Sequence, residues 1–405
     1  MVGSATPVAG TETDATGDLG PPTFDRWVRY RELDELRTAL EAGDASRLVR
    51  TFEALDTETA SLAAWLLFES ADLEGLVEEV LVDRPQDVLA RTLLAGRHVV
   101  LAWEARSGAR VQDVSADQLE RFRAHLVRAE SILSEVCAGA PDQVLAWELR
   151  LTTARGLGLG LTEARRRYDR IADLVPGHWR AQDAYLQQVL PKWGGSWERA
   201  EAFVAECAAA APAGSPSRAL VANLQVERWL ATGDGTFLDD ATVAELRLAA
   251  REVLGPDAAT GPATDAVHAR LALLFTFAER SDDAAPHFAV LGTDPVPDGW
   301  EHLDDAAGWY ARSRAQALGA AVVPDAPGAP SRTRRRWLRV LWGVSMAFLV
   351  VMLALCATGV VVSVGAVSRG EPGAVVRLVV LLAATGLAAR YLWQGARPGR
   401  RRAKV

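Results

Sequence analysis

One short stretch of this chain concentrates groups that can do chemistry: Leu190-Pro191-Lys192-Trp193-Gly194-Gly195-Ser196-Trp197. It holds one of only two lysines in 405 residues, the other being Lys404. Adjacent glycine amides beside a cation can cradle an anion at a helix start. Lys192, Trp193, Gly194 and Gly195 are therefore the candidate ligand contacts. The same residues also suit a purely local role. A glycine supplies the left-handed residue that ends one helix. Ser196 can cap the next helix, and Trp193 and Trp197 can wedge the two helices together.

Other reactive residue types are present without a chemical pattern. The histidines His98, His125, His178, His268, His287 and His302 show no metal-ligand spacing and are expected at the surface or at caps. An enzyme would need Lys192 or His178 buried beside acids in a cleft. Gly156-Leu157-Gly158-Leu159-Gly160 lacks the strand and the Lys-Ser/Thr of a phosphate loop, so it predicts a flexible turn. Asp239-Asp240, Asp282-Asp283 and Asp304-Asp305 fall at expected helix starts, where acids favour the dipole. The chain is read as non-enzymatic, with no cofactor and no metal. Cys137, Cys207 and Cys356 are too dispersed for a disulfide framework, which suits a reducing cytoplasm.

The elements that must carry these residues are helices. Residues 23–318 are rich in Ala, Leu, Arg and Glu, strong helix formers. Leu119, Phe122, Leu126, Leu133 and Val136 follow the three- and four-residue steps of one helix face. Ser115 with Gln118 forms a capping box. Ser215 before Pro216 marks another start.

A repeat organises the helices. Pro141, Pro176 and Pro212 lie 35 and 36 residues apart. Ala129, Ala164 and Ala200 each precede one of them by 12 residues. Leu133, Tyr168 and Val204 stand four residues past each alanine, and Val136, Ile171 and Cys207 seven past. A small residue lets neighbouring helices approach, and proline ends the second helix of a pair. Trp65, Trp103, Trp147 and Trp229 recur in the expected first helices. This register resembles the tetratricopeptide repeat, most clearly over 85–212. The Pro-Lys-Trp-Gly-Gly-Ser turn further resembles a bacterial family of tetratricopeptide-like domains of unknown function. That resemblance implies a fold, an all-α superhelix of helical hairpins, and no established activity.

The carboxy-terminal quarter has a different character. Thirteen Lys/Arg and one acid lie from Ser331 onward, a net of +12, whereas the preceding residues sum to about -20. Residues 340–367 carry no charge or histidine, and about 20 apolar residues span a bilayer. The reading is a Pro-rich then Arg-rich linker over 319–336, a transmembrane helix over 337–367 and a second over 374–394. Arg377 and Arg390 leave only 378–389 uncharged in the second, so a re-entrant or interfacial helix is its alternative. Arg332, Arg334, Arg335, Arg336 and Arg339 precede the first span and are assigned to lipid headgroups. A basic tail, 395–405, follows the second. The positive-inside rule then puts both termini and the soluble body in the cytoplasm, on the inner or plasma membrane. Residues 1–22 have no apolar core and predict a disordered tail without a signal peptide.

These features predict a membrane-anchored scaffold that gathers a protein partner. The acidity of the body favours a basic segment in that partner and disfavours nucleic acid. Residues near Arg97, Trp147, Arg150 and Gln182 are candidates for the concave face. The alternative is a docking subunit of a membrane secretion or transport complex whose hairpin is the working part.

Overall fold

The computed structural model describes residues 20–319 apart from 108–113, 234 and 236. The chain is all-α, and no strand occurs among the described residues. A short α1 (Arg26–Arg29) leads into α2 (Asp34–Glu41) and α3 (Ala45–Glu53). Next come α4 (Thr57–Phe68), α5 (Asp72–Asp83), α6 (Val88–Arg106) and α7 (Ala116–Gly139). The middle holds α8 (Val144–Leu157), α9 (Leu161–Leu174), α10 (Trp179–Val189) and α11 (Trp197–Ala210). The array ends with α12 (Val221–Thr232), α13 (Asp240–Leu254), α14 (Pro262–Phe277), α15 (Ser281–Leu291) and α16 (Ala306–Ala317).

From α6 onward successive helices pack in pairs: α6 with α7, α8 with α9, α10 with α11, α12 with α13 and α14 with α15. The first members also stack sideways, α4 on α6, α6 on α8, α8 on α10 and α12 on α14. The spacing of small and apolar residues explains the stacking. Ala129, Ala164 and Ala200 are fully buried in α7, α9 and α11. Pro141, Pro176 and Pro212 each follow the end of one of those helices by two residues. Ser115 and Gln118 form the reciprocal capping box at the start of α7. Ser215 and Pro216 open one 3₁₀ turn, Pro216–Ala219, that feeds into α12. Asp239 and Asp305 cap α13 and α16, and Asp282 and Asp283 lie in the first turn of α15.

The array curls back on itself, which the repeat register does not foretell. Helix α14 packs against α4. The amino-terminal residues then tie onto the far end. Arg29 holds Asp265 through two nitrogens, both at 2.7 Å, and the Tyr30 hydroxyl donates to the same carboxylate at 2.7 Å. Arg29 also donates to the carbonyls of Leu291 and Asp294 at 3.1 and 2.9 Å. The Thr23 amide donates to the Thr293 carbonyl at 2.8 Å. Phe24 meets Tyr310 edge-on, 5.6 Å between ring centres. One continuous apolar cluster accordingly runs from Tyr30 to Tyr310. Within the expected tail, the Gly20 carbonyl accepts from Arg314 at 2.5 Å.

Among the described residues no helix is long and apolar enough to cross a membrane. The two expected spans, the arginines from Arg332 to Arg339 and the basic tail lie outside the described residues.

Candidate functional site

Three first-row helices converge on one carboxylate. Glu148 of α8 is fully buried and accepts from the Ser61 hydroxyl at 2.5 Å and the Trp65 indole at 2.6 Å, both on α4. His178 Nε2, one residue before α10, approaches it at 3.1 Å, and Arg180 Nε donates at 3.3 Å. The other ring nitrogen of His178, Nδ1, lies 2.9 Å from Glu58 Oε1, which also accepts from the Trp179 amide at 3.0 Å. Burial alone would push His178 toward neutrality, but its hydrogen bonds to Glu148 and Glu58 outweigh that and raise its pKa to about 9. Burial would raise Glu148, yet His178, Arg180 and Ser61 bring it down to about 2. The pair is therefore an imidazolium between two carboxylates. With both ring nitrogens donating it has no lone pair, so it serves as a cationic pin between helices rather than as a base. The Ser61 hydroxyl gives its proton to Glu148, not to the histidine, so the trio is not a nucleophile and its base.

The same side of the array carries more paired charge. Asp298 is bound by Arg26 at 2.8 Å and Arg270 at 3.1 Å. Burial disfavours the ionised carboxylate, but these two cations hold its pKa well below the usual range. Glu301, by contrast, is pushed up, first by burial and then by the charge of Asp298. Its side chain nevertheless reaches solvent, at 46% exposure, and lies 3.7 Å from His302 Nε2. Arg180 lies 4.7 Å above the Trp65 ring, and Arg270 lies 5.9 Å above Trp179.

The Pro191–Trp197 turn joins α10 to α11 and faces this side. Pro191–Trp193 form a 3₁₀ turn, and Gly194 takes the left-handed conformation at φ +88°. The amides of Gly194, Gly195 and Ser196 donate to the carbonyls of Pro191, Leu190 and Val189 at 3.2, 3.1 and 2.9 Å. Ser196 caps α11 by accepting from the Arg199 amide at 3.3 Å. A Cβ on residue 195 would stand 1.8 Å from the Val189 oxygen, so the close approach requires glycine. The glycine amides are consumed inside the turn and form no anion nest. Its side chains are what reach outward. Lys192 pairs with Glu227 of α12 at 2.6 Å. Trp193 meets Trp103 of α6 edge-on at 5.7 Å, and the guanidiniums of Arg106 and Arg155 lie 5.7 and 5.6 Å from its ring centre. Trp193 thus bridges to α6 and α8 instead of wedging α10 against α11. Trp197 has Arg228 over its ring at 5.7 Å.

Several residues lie elsewhere than their sequence positions suggest. Arg97 is buried and donates to the Phe68 carbonyl at 2.9 Å. Gln182 and Trp147 are also buried. Arg150 turns toward α7 and α9, binding Glu130 at 2.8 Å together with Arg167. The expectation of surface or capping histidines fails for three of the six. His178, His268 and His287 are all at most 2% exposed. His268 and His287 meet Nδ1 to Nδ1 at 2.7 Å across α14 and α15, and His98 and His125 do so at 3.1 Å across α6 and α7. Gly156 lies in the last turn of α8, and Gly158 and Gly160, both at positive φ, form the tight turn into α9. No group of three or more metal-ligating side chains occurs among the described residues. Compared with family models, with curated proteins and with solved structures, the chain matches none.

Proposed function

We propose that this protein is a tetratricopeptide-like interaction scaffold held at the inner face of a membrane. Helical hairpins over 23–318 form the body, and spans over 337–367 and 374–394 anchor it in a cytoplasmic orientation. The body gathers a protein partner on the side where the first helices of the pairs meet. One observation carries this reading. The turn with the chain's sole body lysine directs Trp193 toward the ends of α6 and α8 and Lys192 toward Glu227 of α12, where both side chains remain accessible. Part-exposed tryptophan beside paired charges is the make-up of a protein-binding surface. The acidic body favours a basic segment in the partner and makes capture sensitive to salt.

The test is purification of the full-length chain from membranes in mild detergent, with co-purifying proteins identified at low and high salt. A parallel chain carries an unrelated transmembrane hairpin in place of residues 332–405. A scaffold keeps its partner after this exchange and loses it at high salt. Loss of the partner on exchange favours a membrane-complex subunit whose hairpin is the working part.

A further inference from the structure

Several arginines of the array have carboxylate partners, whereas Arg155 and Arg106 have none among the described residues. Arg26 and Arg270 bind Asp298, and Arg180 binds Glu148. Arg155 of α8 makes no ion pair among the described residues. Its single hydrogen bond is a long one, Nη1 to the Ala184 carbonyl at 3.4 Å. Its Nε is shielded from solvent and has no acceptor among the described residues. The nearest acids are already engaged. Asp183 accepts from Asn223 at 2.7 Å, and Glu227 accepts from Lys192 and Gln187 at 2.6 and 2.5 Å.

The surroundings of Arg155 share this shortage of acceptors. Its guanidinium lies between Trp103 and Trp193, 5.3 and 5.6 Å from the two ring centres. The Trp103 indole N–H is also shielded and has no acceptor among the described residues. Arg106, one helical turn beyond Trp103, sits over the same rings at 5.8 and 5.7 Å. Arg106 likewise has no ion pair among the described residues. Cation–π contact offsets part of the desolvation of a guanidinium, but it supplies no acceptor for the in-plane N–H groups. A shielded donor without an acceptor costs roughly 1–3 kcal/mol, and more when charged. Such groups in a folded protein ask for a missing partner.

We propose that Trp103, Arg106, Arg155 and Trp193 form a binding site for an oxyanion, a carboxylate or phosphate group. The free Nε–Nη2 edge of Arg155 is the edge that takes such a group side-on through two hydrogen bonds. Arg106 adds a second charge, and the two indole rings exclude water and cover the flat or apolar body that carries the anion. Lys192 stands at the rim. This site rests on geometry alone and does not depend on the identity of the protein partner.

The experiment is thermal unfolding and calorimetric titration of the full-length chain in detergent, with inorganic phosphate and acetate as probes and sodium chloride matched for ionic strength. The expected result is a dose-dependent rise in melting temperature with phosphate or acetate beyond that with chloride. A response to phosphate alone assigns a phosphorylated ligand; a response to acetate assigns a carboxylate. Arg155→Met should melt at the same or a higher temperature without anion, because a lone shielded charge is gone. It should lose the anion response, with binding weakened at least about tenfold. No response in the unmodified chain, or an equal response in Arg155→Met, overturns the proposal. If Arg155→Met does not fold, Arg106→Gln is read in the same way.

Discussion

His178 Nε2 stands 3.1 Å from Glu148 Oε2, although 30 residues separate them, and neither side chain has more than 2% of its surface exposed. Replacing Glu148 by Gln leaves a shielded imidazolium with one carboxylate and removes the charge that Arg180 faces. Breaking a buried pair at one partner destabilises by about 3–5 kcal/mol. A lower urea midpoint at unchanged slope would register the loss, whereas an unchanged midpoint would mean that the pin carries no load.

The histidines make stability depend on pH in two opposite ways. His178 is raised to about 9 from 6.5, so its contribution is complete below pH 6.5 and fades as pH climbs through 9. His268 and His287 are lowered by burial to about 4 and about 3, His287 further by His268. Their neutral forms belong to the folded state, so stability is lost as pH falls from 6.5 toward 4. Stability should therefore peak near the ordinary histidine pKa, roughly 6.5. His178→Gln should flatten the alkaline limb alone. A melting profile that rises steadily to pH 9 would contradict the charged state of His178.

The two turn glycines should respond unequally to alanine. Gly194→Ala meets open space but must hold φ near +88°, at a cost of about 1–2 kcal/mol. Gly195→Ala drives a Cβ to within 1.8 Å of a backbone oxygen, and the turn must deform. Its loss should exceed about 3 kcal/mol, beyond ordinary overpacking. Thermal denaturation of the two variants side by side checks the order.

Trp193→Ala should be milder than loss of a buried tryptophan, which runs to about 3–5 kcal/mol. The ring is part-exposed and held by Trp103 and two guanidiniums, so roughly 1–2 kcal/mol is expected. A larger loss in chemical denaturation would return Trp193 to the core.

What the chain discloses in advance follows the range of the interactions. The capping box at Ser115 and the spacing of Ala129, Ala164 and Ala200 from their prolines are local, and all of them fall into place. The proline–glycine turn between α10 and α11 is legible for the same reason. The charged pin is not, because Glu58 reaches His178 across 120 positions and Ser61 reaches Glu148 across 87. Helical periodicity reports which residues share a face, not which distant face arrives opposite. Arg97 and Gln182 read as surface residues because long polar side chains usually are. Here the Phe68 carbonyl of α4 accepts from Arg97 and gives it a buried partner.

Open arrays of helical hairpins behave as springs, able to stretch and twist because each unit touches only its neighbours. Here Arg29 and Tyr30 hook the first coil to Asp265 near the last. A spring with its ends hooked together has lost its softest mode. Its curvature is fixed by that closure rather than left to thermal stretching. The hook also means that trimming either end should loosen the whole loop rather than shorten it.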